Sequence, residues 1–497
     1  MIRRIGAVAL AMLLTACGGS GSNGSDPEIV DEAALDSELA ELIAVHQLTG
    51  DPAAGKIIPD INDPEAQLGM KLFYTKALGG NKDTACVSCH HPMLGGGDGL
   101  SLPIGSNAVD PDLLGPGRTH SPAAPDYWIG SPTVSRNSPT TFNVALYTRG
   151  MFWDSRVEAF GDGVVTPDSR YLGGFSLPLD RDAVDIVSAQ ARFPVTSAVE
   201  MRGYEFENGI DRDAVRDHLA ARIGDYGIGL GELVENHWLP EFEAVYGENI
   251  PREDLITFER IVQAIGVYER SQLFVDNPWH RYVRGEKNAV SVSAKKGALL
   301  FFKSREQGGA NCINCHTGDF YTDEQLHVVA MPQVGRGRGD GPTFDDDFGR
   351  YKVTRLDEDK YRFRTPTLLN VAVTGPWGHA GAYTSLEAVV KHYANPFVAL
   401  EEYDFGQISP LIRVKNTIAN TREALKVLQE NRQSGVLTVE DIPLSDSDIN
   451  DLVTFLKALT DPCVMDRACL QPWIPQSHEQ GPAGLLLQGH DSQGGVL

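Results

Sequence analysis

Two copies of one five-residue pattern constrain this chain more than anything else in it: Cys86-Val87-Ser88-Cys89-His90 and Cys312-Ile313-Asn314-Cys315-His316. A Cys-x-x-Cys-His run sets two thiols one helical turn apart, where they can form thioethers with the vinyl groups of a haem. It also sets the next imidazole under the iron. A zinc site would more often recur as close pairs or add spaced histidines, and a redox dithiol does not need His in the next position twice over. The sequence therefore predicts two covalently held c-type haems, attached through Cys86, Cys89, Cys312 and Cys315, with His90 and His316 as iron ligands.

An internal repeat surrounds these runs. Gly69-Met70-Lys71-Leu72-Phe73 precedes the first and Gly297-Ala298-Leu299-Leu300-Phe301 the second, each followed by a Gly-Gly pair before the cysteines. Asp63-Pro64-Glu65 reads as an N-cap, a first-turn proline and an acidic first turn, opening a helix with Leu68, Leu72 and Phe73 on one face. Helical spacing returns over 211–285, as in Leu255, Phe258, Ile261, Val262 and Ile265, and a last helix runs from a Ser445 cap through Leu459. Between the runs, Pro92 to about Pro194 is rich in Gly and Pro, a length of loop that usually covers something or carries function. The expected fold is mainly α: two cytochrome c-like domains, each with one covalent haem, and long irregular loops between helices.

With 497 residues the chain has room for more than one core. Residues 1–16 read as an export signal, with Arg3, Arg4 and an apolar run too short to span a bilayer. The ending Leu14-Thr15-Ala16-Cys17 is similar to a lipobox, which makes Cys17 a lipidation site and the periplasm, anchored to the outer membrane, the expected location. A flexible tether over 17–50 is expected to lead into a first haem unit (51–285), a second (286–475) and a mobile tail (476–497). Of seven cysteines, the remaining Cys463 and Cys469 are expected to pair in an oxidising compartment. A formal net charge of −24 argues against a nucleic-acid partner and would steer a basic protein inward.

The motifs around both runs resemble the bacterial di-haem cytochrome c peroxidases, including their MauG-type branch. The resemblance extends through Arg136-Asn137-Ser138-Pro139-Thr140, Phe152-Trp153-Asp154-Ser155-Arg156, Val199-Glu200-Met201 and Thr374-Gly375-Pro376. It implies that the N-terminal haem meets peroxide and the C-terminal haem handles electrons. At the first haem, Ser106 stands where peroxidases needing reductive activation carry a blocking His, so that iron should rest open, with His120 a substitute blocker and His91 a surface histidine. Glu200 is the expected proton-transfer group, and Gln190 and Pro194 the expected lining of its pocket.

At the second haem, Tyr393 falls where the axial Met is expected. Leu386, Val389, Val390 and Tyr393 share one helical face behind a Ser385 cap, with His392 and Met331 as alternative ligands. Met ligation raises a haem potential, whereas a phenolate should stabilise oxidised iron and favour sharing oxidising equivalents between the two irons. Trp153 matches the inter-haem tryptophan, and Asn137, Thr374 and Pro376 match positions that hold one calcium ion. The implied function is reduction of hydrogen peroxide, with electrons from a small cytochrome c or from oxidisable Trp or Tyr residues of a partner protein. A non-catalytic electron-transfer cytochrome and an oxygenase of the rubber-oxygenase type are the alternatives.

Overall fold

The computed structural model describes residues 31–122, 131–169, 179–208, 211–476 and 479–497. The export signal and Cys17 lie outside them. The described chain is mainly helical, with two small antiparallel sheets: Gly150–Met151, Val157–Phe160 and Gly163–Val165 in one, Leu326–His327 and Phe363–Arg364 in the other. Among the described residues no helix is long and apolar enough to cross a membrane.

Two helix crossings organise the molecule, one ahead of each Cys-x-x-Cys-His run. The helix Pro64–Tyr74 lies against Phe258–Ser271, and Val292–Phe302 lies against Asp446–Ala458. The repeated glycines are the reason these pairs can approach. A Cβ on Gly69 would sit 1.9 Å from the Ala264 carbonyl oxygen, and one on Gly297 would sit 1.9 Å from that of Asp451. Each crossing buries its own core, with Leu68, Leu72 and Phe73 in the first and Ala298, Phe301, Phe302 and Phe455 in the second. The expected Ser445 cap forms as a reciprocal pair: Asp448 N–H donates to Ser445 Oγ at 3.2 Å, and Ser445 N–H to Asp448 Oδ2 at 2.9 Å.

Two stretches pack where the sequence reading left them loose. The tether expected up to residue 50 contains a helix, Glu32–Val45, capped by Asp31. Its Leu39 is buried in the second core, and its Asp36 holds Lys295 at 2.9 Å and the Tyr282 hydroxyl at 2.6 Å. The tail expected to be mobile instead returns to the first core. Leu487 N–H donates to the Tyr74 carbonyl and Lys76 N–H to that of Leu485, both at 2.9 Å, with Leu486 and Leu487 buried. The Leu485–Leu487 set is too brief to show a period, but Leu35, Leu39, Leu42 and Ile43 do fall at helical spacing, a signal the tether reading passed over. The structure also joins Cys463 to Cys469, and their loop sits against the first core through Val464 and Leu470.

Candidate active site

The two runs fold alike. Each makes a tight turn in which the histidine N–H donates to the carbonyl of the first cysteine, His90 to Cys86 at 3.1 Å and His316 to Cys312 at 3.0 Å. Each imidazole then donates its Nδ1–H to a main-chain carbonyl further on, His90 to Gly96 at 3.2 Å and His316 to Tyr321 at 3.0 Å. Such a bond favours the tautomer with Nε2 as the lone-pair donor for a metal; at His90 the Ser138 hydroxyl also stands 3.2 Å from Nδ1 and 3.4 Å from Nε2. Burial lowers both imidazole pKa values, His90 to about 4, so both rings are neutral. All four motif thiols are free.

Beside the second run is a cavity of about 530 Å³, lined by Cys312, Cys315, His316, Tyr393 and Met331 among others. Its donor set and apolar walls suit a haem. Arg364 Nη1, buried and without a partner, belongs to a residue lining the same cavity and is suited to a haem carboxylate. Tyr393 and Met331 therefore both stay in reach of the second site. His392 does not: its Nε2 engages the Val329 carbonyl at 2.8 Å and its Nδ1 the Tyr383 hydroxyl at 3.0 Å. Both of its ring nitrogens are thus engaged by the protein, whereas Tyr393 and Met331 line the cavity itself. Burial pushes the Tyr393 phenol above its ordinary pKa, and the neighbouring Cys315 and Cys312 push the same way. Only a cation at its oxygen would hold it as phenolate.

Glu200 lies in a wide helical turn, Ala198–Arg202, and lines a second cavity of about 450 Å³ with Arg336, Arg338 and Arg413. Burial raises the Glu200 pKa, opposed by Arg156 and Arg338. The 105–106 loop crosses directly behind it, since a Cβ on Gly105 would stand 2.3 Å from the Glu200 carbonyl oxygen. Ser106 is buried there with its hydroxyl donating to the Ala198 carbonyl at 2.7 Å. Gln190 lies in the last turn of the short helix Ile186–Ala191 and Pro194 opens the next turn, ahead of Glu200 in the chain, but neither lines this cavity. His120 is buried, and so is His91, which accepts the Met93 N–H at 3.1 Å. The reading of His91 as a surface histidine is thereby corrected: Tyr74 and the returning tail cover it.

Between the two sites, Trp153 Nε1–H donates to the Asn137 carbonyl at 2.9 Å, and the next residue, Ser138, donates to the Cys89 carbonyl at 2.8 Å. Trp153, Asn137, Ser138, Thr374 and Pro376 all line the cavity that holds His316, so a single layer touches both runs. Asn137 turns its amide N–H groups to the Leu100 and Ser101 carbonyls, which leaves Oδ1 as an acceptor. Sequence reasoning missed the joint beneath this layer. Arg136 forks onto Asp347 at 2.7 and 2.8 Å and reaches Asp154 at 2.7 Å, all three buried. Burial alone would raise the Asp154 pKa, but Arg136, Arg156 and Arg338 together outweigh it and hold the carboxyl well below the usual range. Arg136 and Asp154 stood in motifs already singled out, but nothing in the sequence pointed to Asp347 as their partner.

A sequence model described as di-haem cytochrome c peroxidase matches residues 63–288. The methylamine utilization protein MauG of Methylorubrum extorquens is 25% identical over 386 residues, covering 77% of this chain and 81% of the relative. Cytochrome c551 peroxidase of Pseudomonas aeruginosa is 24% identical over 337 residues, covering 67% and 73%. The crystal structure of a MauG-like protein associated with microbial copper homeostasis shares the fold, with a TM-score of 0.53 at 20% identity, covering 84% of this chain and 97% of that one. That of the diheme peroxidase BthA from Burkholderia thailandensis does so with 0.52 at 20% identity, covering 84% and 91%. The repeated runs and these matches define the class, an oxidoreductase of the di-haem peroxidase type. Residues 63–288 thus match the di-haem cytochrome c peroxidase (MauG) family, and the chain is similar over most of its length to MauG and to bacterial cytochrome c peroxidases.

Proposed function

We propose that this protein is a di-haem peroxidase that reduces hydrogen peroxide at the haem held by Cys86 and Cys89, with a second covalent haem at Cys312 and Cys315 passing electrons. When bound, the first haem supplies an iron that can take peroxide as a ligand. The observation that carries the reading is Glu200, a half-buried carboxyl with a raised pKa facing a cavity near that run. As carboxylate it accepts the proton from peroxide, and as acid it returns it to the leaving oxygen. Ser106, tied to the Ala198 carbonyl, keeps its loop from supplying a blocking ligand. Trp153 provides an aromatic step between the two sites, supported by its bond to Asn137.

At the second haem we infer Tyr393 as the distal ligand, with Met331 the competing donor on the same cavity wall. A phenolate there favours oxidation of aromatic residues on a partner protein over oxidation of a cytochrome c. One calcium ion at Asn137, Thr374 and Pro376, a lipid anchor at Cys17 and a periplasmic location complete the reading. Glu200→Gln tests it: the amide keeps the shape but cannot take a proton, so stopped-flow reaction with peroxide should slow by about a hundredfold or more. Both haems should remain bound. An unchanged rate constant removes Glu200 from the mechanism.

A further inference from the structure

The two crossings share a register, which sets the halves side by side residue by residue. Gly69 meets Ala264 as Gly297 meets Asp451. In the same register Phe73 stacks near Tyr268 at 5.0 Å as Phe301 does near Phe455 at 5.1 Å. One residue further along, the first half carries Glu269 where the second carries Leu456. Leu456 lines the cavity of the second run.

Glu269 is only 6% exposed, and no hydrogen-bond donor reaches its Oε2. It is also the charge that acts on the Cys86 thiol, to which the first haem attaches. A leucine fills this position in the second half, so packing does not call for an acid here, and an unpaired buried carboxyl is costly to keep. Burial pushes its pKa up to about 8, opposed by Arg270 and reinforced by Asp185, which are paired with each other.

We propose that Glu269 is a proton-binding residue of the first haem, taking one proton from solvent when that haem gains one electron and releasing it on re-oxidation. The electron comes from the donor, the carboxylate becomes a carboxylic acid, and no other bond changes. An electron added to a weakly polar interior is a new negative charge, and a proton bound close by offsets it. The charged groups around Glu269 are Arg270 on its own helix and Asp185 at the cap of Ile186–Ala191. Cys86 does not titrate once it is a thioether. Asp98, buried and pushed up to about 7, acts on Cys89 instead and needs its own control.

The proposal rests on haem attachment at Cys86 and Cys89 but not on peroxide turnover, so the two readings fail separately. The test is a potentiometric titration of the two-haem protein at a series of pH values, following each haem by its own spectrum. The first-haem midpoint should fall with rising pH, approaching about 59 mV for each tenfold drop in proton concentration. Glu269→Gln should abolish that slope in the window around pH 8, Asp98→Asn should keep it there, and the second haem should be unaffected by either. A native-like slope in Glu269→Gln, or no slope in the native protein, overturns the proposal. If Glu269→Gln fails to hold its haem, redox-difference infrared spectra of the native protein decide: reduction of the first haem must add a protonated-carboxyl band, and its absence is equally fatal.

Discussion

The half built on Pro64–Tyr74 and Phe258–Ser271 and the half built on Val292–Phe302 and Asp446–Ala458 use one device, a glycine that lets two helices touch backbone to backbone. Each delivers a Cys-x-x-Cys-His turn with its imidazole anchored through Nδ1. Their chemistry then parts company. Tyr74, Tyr268 and Glu269 in the first half correspond to Phe302, Phe455 and Leu456 in the second. Near the first run, Glu200, whose charge acts on Cys89, lines a cavity with three arginines, whereas the second run borders a largely apolar cavity that also holds Tyr393 and Met331. Under the proposed function, one scaffold would serve two tasks because attachment depends on the crossing and the turn, while reactivity depends on the polarity placed around them. A group that moves protons needs charge partners and space, and one that only passes electrons is better kept dry.

The comparison breaks most severely at the joint between the halves. Arg136→Ala strands Asp347 and Asp154 as buried unpaired charges and should cost about 3–5 kcal/mol, read by denaturant unfolding. Next come the crossings themselves. Gly69→Ala and Gly297→Ala each press a methyl into a carbonyl and should each destabilise by about 1–3 kcal/mol, the first loosening only the His90 haem spectrum and the second only that of His316. Unequal effects on the wrong haem would show that the shared register is not shared mechanics.

The halves should also differ with pH. Glu200 must be deprotonated to act as base and its pKa is raised. The second-order rate with peroxide should therefore climb about tenfold per pH unit below that pKa and level off above it. A flat profile through the acid range would count against Glu200. The smallest energetic effect is expected for Tyr393→Phe, which keeps the ring's packing and removes only its oxygen. Stability should change by less than about 1 kcal/mol, yet the low-spin signature of the second haem should change while the first stays as it was. If that signature is untouched, Met331 is the ligand.

How much of this was legible depended on the range of the interaction involved. The haem runs, the repeat, the Pro64 and Ser445 helix starts and the Leu386–Tyr393 stripe are local patterns, set by turn geometry and helical period within a few residues. They could be read from the chain alone, and with them came the class of protein. Short elements that bury against distant partners were not legible. The Leu485–Leu487 return is too short to show a period, whereas Leu35, Leu39, Leu42 and Ile43 of the Glu32–Val45 helix do follow one, and what the sequence could not show was the core that receives them. The same holds for charge. Nothing near Arg136 in sequence announces Asp347, 211 positions away, and nothing near Glu269 announces that it stands alone. The identity of a side chain belongs to the sequence, but its protonation is settled by what surrounds it in space, because desolvation and charge pairing act through distance in the folded chain and not along it.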